Sequence, residues 1–254
     1  MKKQSLYLST VDENAGDLAR KYGLGLELAE FCTAWNLDDE FPQTDVKIRK
    51  ESRDIHRFTV HGPYNELFPC AIDRKARALA AQRFRQAIDI ARGYGAKKLV
   101  LHAGFNPWLY YPIWFTEQSI LFFRDFVRYI PEDMTVCLEN VLETEPKMMT
   151  DILRAVDSPR LRMCLDVGHA NAYSKVKPEG WIRECQDVLS HFHIHNNDGT
   201  RDSHSGLTDG TIPMQTLFAQ IEDQCPRASV TLELPDAAAS LAWMNEMHLM
   251  EEEK

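Results

Sequence analysis

The 254-residue chain predicts a closed (β/α)8 barrel, on three observations. Short β-rich runs alternate with helix-like stretches along the whole length, and units of that kind build a parallel sheet. Eight such units in a chain of about 250 residues match the closed barrel better than an open doubly wound sheet. No glycine-rich GxGxxG follows a strand, so the main sequence argument for a dinucleotide fold is missing.

Strands are expected at 5–9, 24–28, 57–61, 98–102, 134–139, 161–166, 191–195 and 229–234. Helices are expected at 12–22, 73–94, 114–130, 146–156, 178–189, 213–224 and 237–249. The clearest is 73–94. There Ala, Leu, Phe and Ile recur at helical spacing, Arg and Lys fill the gaps, and Gly93 and Gly95 stop the run. Pro131, Pro159 and Pro226 stand before strands and end the helices ahead of them. The weakest unit follows strand two, where 31–50 holds Pro42 and shows no clean period. Nothing resembles a linker or a low-complexity tract, so 1–254 reads as one domain. The acidic run Glu251–Glu253 reads as a frayed, solvated end.

Composition bounds the function class. Hydrophobic residues at 44% and charged residues at 26% describe an ordinary globular chain with a sizeable core. Met1-Lys2-Lys3-Gln4 runs straight into a strand with no apolar stretch, which argues against a secretory signal, and no apolar run approaches the length of a membrane span. Six scattered cysteines (Cys32, Cys70, Cys137, Cys164, Cys185 and Cys225) form no CxxC pair, pointing to reduced thiols in a cytoplasmic protein. The net charge of −9 argues against a broad nucleic-acid surface without forbidding a local one.

The strand ends carry the functional signal. Side chains alternate between the two faces of a strand, and six strands end on a metal-ligand type: His61, His102, Glu139, Asp166, His195 and Glu233. The outward positions on either side of the next inward residue are apolar in five of them, Phe58 and Val60, Leu99 and Leu101, Val136 and Leu138, Met163 and Leu165, Phe192 and Ile194, and in the last strand Leu232 and Leu234 flank Glu233. The inward positions two before each are Thr59, Val100, Cys137, Cys164, His193 and Thr231, small or polar side chains suited to a packed layer. A lone His or Glu at a strand end is more often a hydrogen-bonded boundary residue than a ligand. Six on one face, at the barrel end where active sites lie, are another matter, because carboxylates buried together are strongly unfavourable without a compensating cation. His193 reads as a buried polar residue one layer deeper. His56, His191 and His248 read as surface or packing residues, and Glu27 and Glu30 as solvated or substrate-shell residues after strand two. The following loops extend the cluster with His169, Asp202 and His204. A set of oxygen and nitrogen ligands without cysteine suits Zn²⁺, Mn²⁺, Co²⁺ or Mg²⁺.

Seven motifs spread over strands three to eight carry a family resemblance: VHGPY (60–64), LVLHAG (99–104), CLENV (137–141), CLDVGHAN (164–171), HIHNND (193–198), DSHSGLTDG (202–210) and TLELP (231–235). In order and placement the chain resembles the xylose-isomerase-like TIM barrels, which include sugar-phosphate isomerases and epimerases and the endonuclease-IV-type apurinic-site endonucleases. The isomerase and epimerase branch implies one divalent metal on Glu139, Asp166, His195 and Glu233. It also makes Glu139 and Glu233 an acid/base pair that moves a proton through a metal-stabilised enediolate, with His169 orienting the substrate or assisting. The endonuclease branch implies up to three zinc ions, with His61, His102, His169, Asp202 and His204 completing the ligand set, and Tyr64 also fits its pattern.

Several departures weigh against DNA repair and toward a small sugar or sugar phosphate as substrate. The chain is short, Val141–Pro146 lacks the glycine-rich stretch usual in the endonucleases, and Arg201 is the only basic residue between His195 and Asp202. Thr208 and Asp209 replace the usual Gly-Glu of the loop His204–Gly210, a departure that bears on that loop's role in either branch. The aromatic loop 105–115 reads equally as a lid over a sugar ring or as a subunit contact in a homodimer.

Overall fold

The computed structural model describes residues 1–251. Eight parallel strands close in sequence order: β1 (Leu6–Ser9), β2 (Gly25–Leu28), β3 (Phe58–His61), β4 (Lys98–His102), β5 (Thr135–Glu139), β6 (Leu161–Asp166), β7 (Leu189–Ile194) and β8 (Ser229–Leu232), with β1 pairing β8. The chain is a (β/α)8 TIM barrel.

The outer ring is built from α1 (Ala15–Tyr22), α2 (Ala34–Leu37), α3 (Phe41–Glu51), α4 (Arg74–Gly93), α5 (Pro112–Phe126), α6 (Pro146–Val156), α7 (Val167–Tyr173), α8 (Pro178–Cys185), α9 (Met214–Gln224) and α10 (Ala238–Glu246). In α4 the Asp73 carboxylate accepts from the Lys75 amide at 2.7 Å and caps the first turn, a contact of about 1 kcal/mol. The same helix buries Phe84, which packs edge-on against Phe122 and Phe126 of α5.

Two helices depart from the sequence reading. The unit after β2 contains α3, and Pro42 stands in its first turn rather than breaking it, because proline's fixed φ and missing N–H suit a helix start. A short helix, α7, begins immediately after β6, where the ligand-rich run Asp166–His169 masked the helical signal.

Met1 and Lys2 meet Glu251 at the opposite end of the barrel from the strand C-termini. Lys2 bridges to Glu251, and the Glu251 amide donates to the Met1 carbonyl at 2.8 Å. Glu251 is therefore paired rather than frayed, while Glu252 and Glu253 lie outside the described residues. The six cysteines are free, and no helix among the described residues is long and apolar enough to cross a membrane.

The interior and the outer shell are separate apolar clusters. Val100, Cys137 and Cys164 pack together inside the barrel, away from the large cluster between strands and helices. The alternation read from the strands thus places the inward residues as expected.

Candidate metal centre

Period-two alternation delivers the strand-end residues to one mouth. Glu139 ends β5 and is fully buried. Its Oε2 lies 3.3 Å from His61 Nε2 and 3.5 Å from His102 Nε2, and its Oε1 lies 3.4 Å from His169 Nδ1. Asp166 ends β6 and caps α7, its Oδ1 accepting from the His169 amide at 2.6 Å. Both of its oxygens sit 3.2 Å from His195 Nε2. Asp202 gathers three rings: His169 Nε2 at 3.2 Å, His195 Nε2 at 3.4 Å and His204 Nε2 at 3.0 Å. Glu233 follows β8, with its Oε2 3.2 Å from His193 Nδ1. All nine residues read as ligands from the sequence converge on this mouth.

Local sequence explains why these side chains fit. An added Cβ at Gly168 would lie 1.8 Å from His195 Cε1, so only glycine lets the imidazole pack against the start of α7. The His195 ring stacks on His204 with centroids 3.9 Å apart. His204 itself adopts a left-handed backbone, φ 45°, which non-glycine residues rarely occupy outside constrained sites. Its Nδ1 is held 2.9 Å from the Glu233 carbonyl, which couples the loop after β7 to the end of β8.

Asparagines tie the strand ends together. The Asn140 amide donates to the Asp166 carbonyl at 3.0 Å, and its oxygen accepts from the Asp166 N–H at 2.9 Å. Asn197 Nδ2 donates to the Gly168 carbonyl at 2.8 Å. Asn196 pairs with Ser205 through two backbone hydrogen bonds, and its side-chain oxygen accepts from the Ile212 amide. This clamps the loop carrying Asp202 and His204. All three lie within motifs picked out in the sequence, but nothing in their spacing revealed which backbone groups they bind.

Electrostatics follow from burial and neighbours. Burial pushes the Glu139 carboxyl up, yet the rings of His193, His102 and His169 outweigh this and hold it well below the usual carboxylate range. Asp202 is lowered against its burial by hydrogen bonds to His169 and His204. Burial lowers His102 to about 4 despite Glu139. For His204 the pull of Asp202 and Glu233 exceeds the effect of burial and raises it to about 9. Glu143, buried in the loop after β5, is pushed up to about 7 by burial.

The donor set fits a divalent cation. Glu139 Oε2 and Asp202 Oδ1 are buried without a hydrogen-bond partner among the described residues, an arrangement that is costly without a cation. Glu139, Asp166, His193 and Glu233 each offer a ligand atom within 4.8 Å of the others, and so do His169, Asp202 and His204. His61, His169 and His204 each place one ring nitrogen 2.9 Å from a backbone carbonyl while the other faces carboxylates. Metal-binding imidazoles are oriented in this way.

One sequence reading needs correction. Glu27 is not a solvated residue after β2. It lies within that strand, fully buried inside the barrel. Of the two readings of His191, surface or packing, the structure selects packing: it is buried, with its Nε2 3.1 Å from Glu27 Oε2. The signal was present, since Gly25 and Glu27 alternate with outward Leu26 and Leu28, and His191, His193 and His195 share one face. His56 and His248 are exposed, as expected. Glu30 is partly buried and accepts from Thr10 Oγ1 at 2.7 Å.

At the rim, Tyr64 stacks on His102 with centroids 4.3 Å apart. The aromatic loop is split: Phe105 and Phe115 are buried, whereas Trp108, Tyr111 and Ile113 are among the most exposed apolar side chains.

The chain belongs to the xylose isomerase-like TIM-barrel family, whose model matches residues 17–252. An uncharacterized protein of Methanocaldococcus jannaschii is 28% identical over 194 residues, covering 70% of this chain. The chain spans 65% of that relative's length, just under two thirds. A probable endonuclease 4 of Ureaplasma parvum serovar 3 is 26% identical over 191 residues, covering 67% of this chain and 62% of the relative. Among solved structures, a D-tagatose 3-epimerase-like protein superposes with a TM-score of 0.79 at 20% identity, covering 95% of this chain and 96% of that one. At that identity the likeness is one of fold.

Proposed function

We propose that this protein is a divalent-metal-dependent isomerase or epimerase acting on a small sugar or sugar phosphate. The observation that carries the reading is the convergence of Glu139 and Glu233, from β5 and from the end of β8, on one buried ring at 3.3 and 3.2 Å. Two carboxylates brought to one mouth from different strands are suited to remove a proton and return it.

Glu139, Asp166, His195 and Glu233 are the residues proposed to hold the metal. A cation bound there would supply Lewis acidity toward a hydroxy-ketone, acidifying the C–H next to its carbonyl. The chain's own part would be to hold the two carboxylates within reach of that carbon. His169, fixed by the Asn140 carbonyl at 2.9 Å, is suited to orient a substrate hydroxyl. The test is incubation with a panel of keto-sugars and their phosphates in deuterated water. Deuterium is expected at the carbon next to the carbonyl of the true substrate, and no exchange across the panel would count against the reading.

A second reading is a multi-zinc hydrolase of the endonuclease type. It is favoured by the compact His169–Asp202–His204 group, a second possible ligand set with its own carboxylate, and by the similarity to a probable endonuclease 4. Cleavage of an abasic-site duplex in place of deuterium exchange would select it.

A further inference from the structure

Beneath the mouth, the barrel interior holds a second polar layer that the proposed chemistry leaves unused. Glu27 of β2 is fully buried at its centre. Its Oε2 accepts from Thr59 Oγ1 of β3 at 2.9 Å and from Thr231 Oγ1 of β8 at 3.1 Å, and lies 3.1 Å from His191 Nε2 of β7. Its Oε1 lies 2.8 Å from His193 Nε2. The opposite nitrogen of that ring, Nδ1, lies 3.3 Å from Glu139 Oε1 and 3.2 Å from Glu233 Oε2. These approaches are short but out of line, so Glu27 Oε1 and both His193 nitrogens lack a formal hydrogen-bond partner among the described residues.

We propose that His193, held from below by Glu27, is a positioning residue that fixes the carboxylates of Glu139 and Glu233 relative to each other. Two carboxylates sharing a buried volume repel, and each has rotamers that would separate them. A single ring touching both gives them a common reference point. Below the ring stands Glu27, itself tied to three further strands, so the ring meets an immobile carboxylate at 2.8 Å. Groups that stand behind metal-ligating carboxylates and imidazoles are recurrent supports, and their loss typically lowers metal affinity roughly 10–100-fold. The inference rests on the reading of Glu139 and Glu233 as metal-holding residues.

The test uses the full chain and the variants His193→Gln and Glu27→Gln, each close in shape to the original. Zinc and cobalt titrations are expected to show roughly 10–100-fold weaker binding in both variants. The cobalt visible spectrum is expected to shift as the glutamates move, and X-ray absorption of the zinc-loaded His193→Gln variant is expected to count the same histidine ligands as the parent. A count lower by one makes His193 a ligand and overturns the positioning role. Affinities within twofold of the parent in both variants overturn it as well. Metal-free crystal structures give an independent arm, with Glu139 and Glu233 expected in altered rotamers. Unchanged rotamers overturn the proposal whether or not metal binds, whereas a parent protein that takes up no divalent ion counts against the metal reading alone. Should His193→Gln fail to fold, Glu27→Gln carries the titration, spectral and crystallographic readouts.

Discussion

Replacing Gly168 with alanine inserts one carbon at the most crowded point of the site. The new Cβ would sit 1.8 Å from His195 Cε1 and 2.4 Å from both ring nitrogens, far inside contact distance, so the ring must move or α7 must shift. The ring has little room, since it stacks on His204 at 3.9 Å and faces Asp166 at 3.2 Å and Asp202 at 3.4 Å. Overpacking of this kind costs about 1–3 kcal/mol. In a chain of this size that lowers the melting temperature by roughly 2–12 °C. Displacing a proposed ligand is expected to weaken zinc binding by at least the roughly 10–100-fold typical of a lost supporting contact. Gly93→Ala is the control, because its Cβ would meet nothing within 4 Å. Calorimetric zinc titration and thermal melting of both variants read the outcome. A Gly168→Ala protein that binds zinc and melts like the parent would refute the claim that this glycine makes room for a metal-facing imidazole.

Three further outcomes follow from the same geometry. Burial raises the Glu143 carboxyl from its ordinary 4.5 to about 7. The folded state therefore holds this proton more tightly, giving stability that is full below about 4.5 and is lost as pH rises through about 7. Glu143→Gln is expected to melt like the parent near pH 5 and several degrees higher at pH 8, on the order of 3 kcal/mol; parallel melting curves across that range would contradict it. Stripping divalent ions with a chelator is expected to lower the melting temperature, since saturating ligand contributes about 2.7 kcal/mol at a hundredfold excess over Kd, and zinc should restore it. Glu139→Gln and Glu233→Gln are each expected to abolish turnover while circular dichroism stays unchanged, and near-normal turnover in either would remove that carboxylate from the chemistry.

The barrel was legible because two periodicities stand clear in the chain. Strand alternation separated Leu99 and Leu101 from Val100, and the helical period of 73–94 matched α4 to within a residue at each end. The mouth was legible for the same reason, since each strand-end ligand type lies in register with an inward face. What escaped was set by three-dimensional partners. The alternation of Glu27 with Leu26 and Leu28 placed it on the inward face, but its partners Thr59, Thr231 and His191 come from other strands and were set only by closure of the barrel. Asn140 and Asn197 act on backbone groups 26 and 29 residues away in sequence, contacts no local pattern encodes. Gly168 is unremarkable until the ring of His195 is placed against it.

The central claim, a metal centre at the C-terminal mouth of the barrel, is tested most directly by anomalous scattering from crystals of protein purified without added metal. A peak is expected within about 2.0–2.2 Å of ligand atoms from Glu139, Asp166, His195 and Glu233. A mouth without anomalous density even after soaking in zinc and manganese, or a peak held by other residues, would contradict it.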